Sequence, residues 1–422
     1  MVAAVTVAAD IAPPAIDAER FASDLEELNA IGWTGDTGLQ RTSFSDAHVR
    51  ARQWFMERAH AAGLLTRIDS AGNHSALLEG VGDAPRTLLM GSHLDSVPSG
   101  GRFDGALGVL CALEVVRTVA DRGLRLPVTL EAIDFTDEEG TLLGTLGSWA
   151  LAGQLTPEML AAPRSGRAMM LSELERMGLS EEGLFAARRD PATLAGFLEL
   201  HIEQGPVLEA AGVQIGIVTG IRGNASFEVV FHGAARHAGT TPMDLRRDAG
   251  LGAAQLALAV HDTIRRDFPG CVANVGDVAV EPGAFNVVPE RATLKLEVRS
   301  LDEPELRSLA ALVRDLARDA ARRWNLEVSV EPVGWWTPAR THPRARKALA
   351  SAARRLGLSA TEMPSGAGHD AQVMTQITPS GMVFVPSRDG ISHHPQEFTA
   401  LEDCINGANV LLGAAVALAT AL

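Results

Sequence analysis

Several short apolar runs in this chain stop abruptly at ionisable residues. TLLM (87–90) leads through Gly91 and Ser92 to His93 and Asp95, VTLEAIDF (128–135) leads to Asp137, Glu138 and Glu139, and GFLEL (196–200) leads to His201. Runs of this length, apolar rather than alternating, suit strands covered on both faces. Helical periodicity fills the intervals. Over 47–64, Val49, Trp54, Phe55 and Ala59 share one side, and 108–120 is an apolar helix following the GRFDG turn. Strand and helix alternating at this spacing predict a mostly parallel sheet covered by helices. In such sheets, sites form where strands end and loops begin.

The rhythm changes near Gly216. From there the pattern predicts a strand over 226–231, a helix over 244–267, strands over 271–280 and 293–299, a helix over 304–324 and a strand over 327–333. That order, β-α-β-β-α-β, is the split unit of ferredoxin-like domains. In TLKLEVRS, Leu294, Leu296 and Val298 point one way and Lys295, Glu297 and Arg299 the other, as in a strand with one face covered. After Pro338 the first pattern resumes, with helices over 344–356 and 370–377 and a strand over 381–385. The predicted fold class is therefore α/β. A discontinuous main domain (1–216 and 335–422) has a helix-covered, mostly parallel sheet, and an α+β ferredoxin-like domain (217–334) is inserted in it.

Composition limits the partners. Of 422 residues, 46% are hydrophobic and 21% charged, which is ordinary for a globular chain long enough for two or three domains. A formal net charge of -15 argues against nucleic acid as a partner. Cys111, Cys271 and Cys404 are too few and too scattered for a disulfide framework or a cysteine zinc site, and they fit a reducing, cytoplasmic setting. Cys111, within an apolar helical run, reads as a small core residue. MVAAVTVAADIAPP at the start lacks a basic segment and reads as a loose tail, not a signal peptide. NVLLGAAVALATAL near the end is too short to span a bilayer and reads as a buried terminal helix, so no membrane partner is expected.

The ionisable residues each have an everyday reading beside a chemical one. In H-x-D, His93 can bind a metal while Asp95 orients its ring, or the pair is a plain loop with a helix cap. Asp104 is flanked by chain that can approach closely, and its two oxygens could serve two ions; otherwise it caps the following helix. Glu138 and Glu139 repel each other unless a cation lies between them or one holds a proton. One could bind metal while the other takes a proton from water. Asp137 beside them reads as solvated. His201 alone would be a satisfied structural residue, and of His393 and His394 one is expected to face a metal. His237 could donate to a developing oxyanion. Arg299 could clamp a carboxylate or simply be a surface residue. Asn286 could be a turn residue or an amide contact.

Taken in order, H-x-D, D-G, E-E-G, H and H are far more specific than any one of them. GSHLDSVPSGGRFDG, DFTDEEG, LELHIEQGPVLE, RHAGTTPMDLRRDA, NVVP and SHHPQE resemble the M20 metallopeptidase family. The resemblance is to its amidohydrolase branch of N-carbamoyl-L-amino-acid hydrolases, allantoate amidohydrolases and ureidopropionases. It implies two divalent metal ions, of zinc, manganese, cobalt or nickel. One would be held by His93, Asp104 and His201, the other by Asp104, Glu139 and His393, with Glu138 as general base. His393 is preferred over His394 because the family reads S-H-x-P-x-E. Gln204, His237, Asn286 and Arg299 match substrate-contacting positions. His237 falls in the family's lid domain and often serves the partner subunit's site, which implies a homodimer through the lid. Where related chains read EEG-x-R-F, this one reads EEGTLLGTLGSWALAG; Leu142, Leu143 and Trp149 are departures that bear on substrate.

The expected activity is metal-dependent hydrolysis of a C–N bond in a small carboxylate-bearing substrate, foremost an N-carbamoyl-L-amino acid. Allantoate and 3-ureidopropionate are alternatives. An M20 peptidase or aminoacylase is disfavoured by His201, where peptidases carry a carboxylate. A non-catalytic binding protein is disfavoured by the paired glutamates.

Overall fold

The computed structural model describes residues 15–82 and 84–421, so the N-terminal tail lies outside the described residues. The chain divides into two compact units. One comprises residues up to Thr219 with Thr341–Met363 and His369–Leu422; the other comprises Gly220–Arg340 with Pro364–Gly368.

In the first unit, four strands form the parallel centre of a larger sheet: Thr129–Phe135, Thr87–His93, Leu194–Ile202 and Ser380–Val385, in that spatial order. All seven residues of Thr129–Phe135 are buried, as a central strand with both faces covered demands. The flanks differ from the expectation of a mostly parallel sheet. His74–Leu78 and Leu65–Ile68 add antiparallel on one side, and Ile215–Ile221 adds antiparallel on the other. Only Leu65–Ile68 and His74–Leu78 are joined by a hairpin-scale turn; the other antiparallel neighbours are far apart in the chain. Helix Ala106–Asp121 lies in the middle of the core, with Leu107, Leu110, Cys111 and Val115 all fully buried. The last helix, Leu401–Thr420, is longer than its apolar stretch suggested and is long and apolar enough to cross a membrane. Its Cys404, Ala408, Leu411, Leu412 and Ala415 instead belong to the main hydrophobic core. All three cysteines are free and buried.

The second unit is a four-stranded antiparallel sheet ordered Glu327–Trp336, Gly223–His232, Arg291–Ser300 and Val272–Glu281. Helices Ala249–Asp267 and Glu303–Trp324 cover one face. Leu294, Leu296 and Val298 are buried under them, while Lys295 is exposed and Glu297 and Arg299 half-buried. The first helix starts at Ala249, not at 244. Asp248 caps it by accepting from the Gly250 and Leu251 amides, and Met243–Leu245 is a separate short turn. Segment 364–368, expected with the main domain, clusters with this unit. The helix expected over 370–377 ends at Met374.

Candidate active site

Strand ends deliver the ionisable groups to one edge of the first unit. His93 and His201 are buried at the ends of Thr87–His93 and Leu194–Ile202. His93 Nδ1 donates to the Asp95 carbonyl at 3.0 Å, and His201 Nδ1 to the Ile202 carbonyl at 2.9 Å. A carbonyl oxygen only accepts, so each Nδ1 carries the hydrogen and each Nε2 presents a lone pair. The Gly105 amide donates to His201 Nε2 at 3.2 Å, consistent with that tautomer. Yet these lone pairs face carboxylates. His201 Nε2 is 3.0 Å from Asp104 Oδ1, while His93 Nε2 is 3.9 Å from that oxygen and 3.6 Å from Glu138 Oε2. Such pairs repel unless a proton or a cation lies between them.

Asp104 is the hinge of the arrangement. The helix that follows receives no side-chain cap, so capping is not its task. Its Oδ1 faces His201 and its Oδ2 faces His393, each at 3.0 Å. His393 Nε2 is also 3.6 Å from Glu139 Oε1, a buried oxygen with no hydrogen-bond partner among the described residues. His93, Asp104 and His201 form one donor group, and Asp104, Glu139 and His393 another; within each, the donor atoms lie within 4.8 Å of one another. Imidazole and carboxylate donors of this kind suit zinc, manganese, cobalt or nickel, so the residues present fit divalent metal. Gly105, at φ +63°, is required here: a Cβ would lie 2.3 Å from the His93 ring.

The protonation pattern tells the same story. Burial works against the Asp104 charge, but hydrogen bonds to His201 and His393 outweigh it and hold its pKa well below the usual range. His201 is raised to about 9: burial opposes its charge, and the bond to Asp104 overcomes that. His393 is raised to about 9 by its bond to Asp104. Burial, reinforced by Glu139, pushes Glu138 well above the carboxylate range; burial and Asp104 do the same to Glu139. The cluster therefore gathers protons as stand-ins for positive charge.

Asp95 acts differently from expectation. Its backbone carbonyl accepts from His93 Nδ1 at 3.0 Å, and its carboxylate Oδ1 lies farther from that nitrogen, at 3.7 Å. Its carboxylate accepts from the Glu138 and Glu139 amides (3.3 and 3.1 Å) and from the Ser43 hydroxyl (2.8 Å), fixing the turn that carries the paired glutamates. Asp137 is fully buried, not solvated, because the Leu142, Leu143 and Gly144 amides donate to its carboxylate. The departures near the site resolve accordingly. Leu142 packs into an apolar cluster with Phe44 and Leu146, and Leu143 and Trp149 lie against it.

Sequence reasoning missed a set of buried supports. The Leu94 peptide, between His93 and Asp95, is gripped on both sides. Asp134 Oδ1 accepts from its amide at 2.7 Å, and Arg41 Nε donates to its carbonyl at 2.7 Å. Arg52, itself buried, pairs with Asp134 at 2.7 Å. Glu397 accepts from the Phe103 and Asp104 amides, steadying the turn before the helix. The only prior signal was its place in SHHPQE. His369 stacks edge-on against His201 with centroids 4.6 Å apart and forms a third donor group with Glu199 and His201. Glu199 there already accepts from Ser92 and Ala371, so that group is a hydrogen-bonded support.

Gln204 sits in the cluster, its amide donating to Asp104 Oδ2 at 2.9 Å and to Ser392 Oγ at 3.1 Å. Asp137, Gln204 and His393 all have φ near +55° (56°, 57° and 55°), a conformation that costs non-glycine residues about 1 kcal/mol or more and collects at functional sites. His237, Asn286 and Arg299 lie in the second unit. His237 is exposed on a two-residue strand paired with Val287–Val288, and the Asn286 carbonyl accepts from Ala238. Arg299 is held by Glu297 through Nε (2.9 Å) and Nη2 (2.7 Å) and donates from Nη1 to the Gly366 carbonyl at 2.6 Å.

A parallel-centred sheet with imidazoles and carboxylates converging at its strand ends defines a site suited to metal-assisted hydrolysis. Residues 89–417 match peptidase family M20/M25/M40, and the chain belongs to that family. It is 39% identical over 399 residues to an N-carbamoyl-L-amino acid amidohydrolase of Geobacillus stearothermophilus, covering 94% of this chain and 97% of that one. It is 34% identical to a ureidoglycolate hydrolase of Arabidopsis thaliana, covering 94% and 85%. A crystal structure of a hydantoinase/carbamoylase-family amidase from Burkholderia multivorans superposes with a TM-score of 0.89 at 36% identity, covering 96% and 99%. An aminopeptidase, PepT of Bacillus cereus, shares only the fold, with a TM-score of 0.70 at 18% identity. The chain is a hydrolytic enzyme of the family's amidohydrolase branch.

Proposed function

We propose that the protein hydrolyses the ureido C–N bond of an N-carbamoyl-L-amino acid, giving the amino acid, ammonia and carbon dioxide. The observation that carries this reading is Asp104, whose two oxygens each face a separate imidazole-bearing donor group. Two divalent ions, of zinc, manganese, cobalt or nickel, would be held by His93, Asp104 and His201 and by Asp104, Glu139 and His393. When bound, they polarise the substrate carbonyl and make water a better nucleophile at neutral pH.

The chain's own groups do the rest. Glu138 lies beside His93, largely buried and outside the two donor groups, which leaves its carboxylate for proton transfer. It takes a proton from the attacking water and delivers it to the leaving nitrogen as the tetrahedral centre collapses. The Asp95 carboxylate fixes the backbone on which Glu138 and Glu139 stand. Gln204 steadies Asp104 and faces the substrate. His237 donates to the oxyanion, Asn286 contacts the substrate amide and Arg299 receives its carboxylate. The second unit then serves as lid and dimerisation domain, with His237 supplied to the partner's site. Exposed Leu258, Val278, Val280 and Phe285, beside an edge strand, support a homodimer. Three free cysteines suit a cytoplasmic setting.

Relatives named ureidoglycolate hydrolase and probable allantoate deiminase favour a second reading, in which the substrate is a ureido acid such as ureidoglycolate or allantoate. The test is ammonia release from N-carbamoyl-L-amino acids, allantoate, 3-ureidopropionate and dipeptides by metal-loaded enzyme. The first class should be fastest; hydrolysis of dipeptides alone would refute the reading. Glu138→Gln should keep its metal and lose about a hundred- to ten-thousandfold in turnover; near-normal turnover would remove Glu138 from the role of base.

A further inference from the structure

Arg299 meets the substrate carboxylate with most of its donors already engaged. Arg299 spends Nε and Nη2 on Glu297 and Nη1 on the Gly366 carbonyl. Its charge is thus largely neutralised by an acid of its own strand, and its best donors are occupied. A second guanidinium shares this face. Cross-strand register pairs Arg299 with Asn224, and the alternating burial of residues 222–226 puts Arg222 on the same side as Asn224. Arg222 Nη1 comes within 3.6 Å of the position a Cβ on Gly366 would take, so both arginines converge on the loop around Gly366.

Arg222 is the less satisfied of the two. Among the described residues its Nε is buried with no hydrogen-bond partner, and Nη2 reaches only the Gly270 carbonyl, at a long 3.4 Å. Burial and the nearby Arg299 charge both make its protonated form harder to hold. Glu297 pairs with Arg299, while the half-buried Arg222 has no carboxylate in hydrogen-bond or ion-pair contact among the described residues. Such an excess of like charge is unfavourable without an anion to offset it. A planar guanidinium with open donors is the group best shaped to grip a carboxylate in two places.

We propose that Arg222 is a specificity-determining residue that supplies the open donors and the net positive charge for the substrate carboxylate, with Arg299 held beside it by Glu297. This rests on the carbamoyl-hydrolase reading for its choice of substrate, and names the residue that makes the acid end of that substrate obligatory.

The test is equilibrium binding. N-carbamoyl-L-methionine is titrated calorimetrically into manganese-loaded Glu138→Gln protein, with and without Arg222→Gln. Loss of Arg222 should weaken binding roughly ten- to a hundredfold, the weight of a charge-assisted hydrogen bond. Arg222→Lys should recover part of it, and the carboxamide of the same ligand should bind both proteins alike. In otherwise native enzyme, Arg222→Gln should raise KM by a similar factor with a much smaller change in kcat. Equal affinity with and without Arg222, or no binding to either protein, overturns the proposal. Failure of the functional reading would show separately, as binding by the native protein without ammonia release.

Discussion

The two units of this enzyme treat charge in opposite ways. The first buries it: Arg41, Arg52, His93, Asp95, Asp104, Glu131, Asp134, Asp137, Glu199, His201 and Asp370 are all nearly or fully inaccessible. Among the described residues of the second, the only buried polar ones are Ser300 and Ser365, and its charges stay near the surface, on the open face of the sheet and on the two helices. Burying a charge is costly unless it is paired, hydrogen-bonded or bound to metal. The first unit therefore carries a network that only a site could repay, while the second is an ordinary apolar core with a recognition face. Chemistry belongs to one unit and, in our proposal, substrate selection to the other.

The largest break in that contrast should come from Asp104→Ala. It removes the group shared by both donor sets, so metal content should fall for both ions and activity should vanish, while the second unit keeps its native fold. Metal analysis and circular dichroism would show this; an Asp104→Ala protein that retains both ions contradicts it.

Next in size is Arg52→Met, which leaves the buried Asp134 carboxylate without its cation. The expected loss is about 3–5 kcal/mol of stability, read from urea unfolding, with weaker metal retention because Asp134 also holds the Leu94 peptide. The matching change in the second unit, Lys295→Met, touches only an exposed charge and should stay within about 0.5 kcal/mol.

The last break is an acid sensitivity that arises in the first unit. Burial and the Arg52 charge push His74 down to about 3. The unfolded ring takes up its proton near pH 6.5, while the folded ring resists until about pH 3. Stability should therefore fall as pH drops through that window, by up to about 1.4 kcal/mol per pH unit. His74→Phe should flatten the slope of unfolding midpoint against pH between 6 and 4; an unchanged slope would place the sensitivity elsewhere.

The sequence was most legible where pattern and chemistry coincide. Leu294, Leu296 and Val298 alternate in sequence and lie buried in the sheet. His93, Asp104, Glu139, His201 and His393, spread over 300 positions, come together in space. What stayed hidden depends on backbone partners that no residue type announces. Asp137 looks like a surface acid until three amides turn toward it. Arg41 and Arg52 belong to no motif, and only the fold brings them to the Leu94 carbonyl and Asp134. The departures at Leu142 and Trp149 looked like changes to a substrate pocket, but they build an apolar cluster instead. Arg222 left no motif at all; only the register of its sheet and the occupied donors of Arg299 single it out.

Two-metal chemistry in this enzyme depends on Asp104 lying between two ions. Anomalous X-ray scattering from crystals grown with manganese or zinc, recorded at the metal's absorption edge, measures this directly. We predict two peaks flanking Asp104, one within bonding distance of His93 and His201 and the other of Glu139 and His393. A map with no peak beside Asp104, or with metal only at other residues, would contradict it.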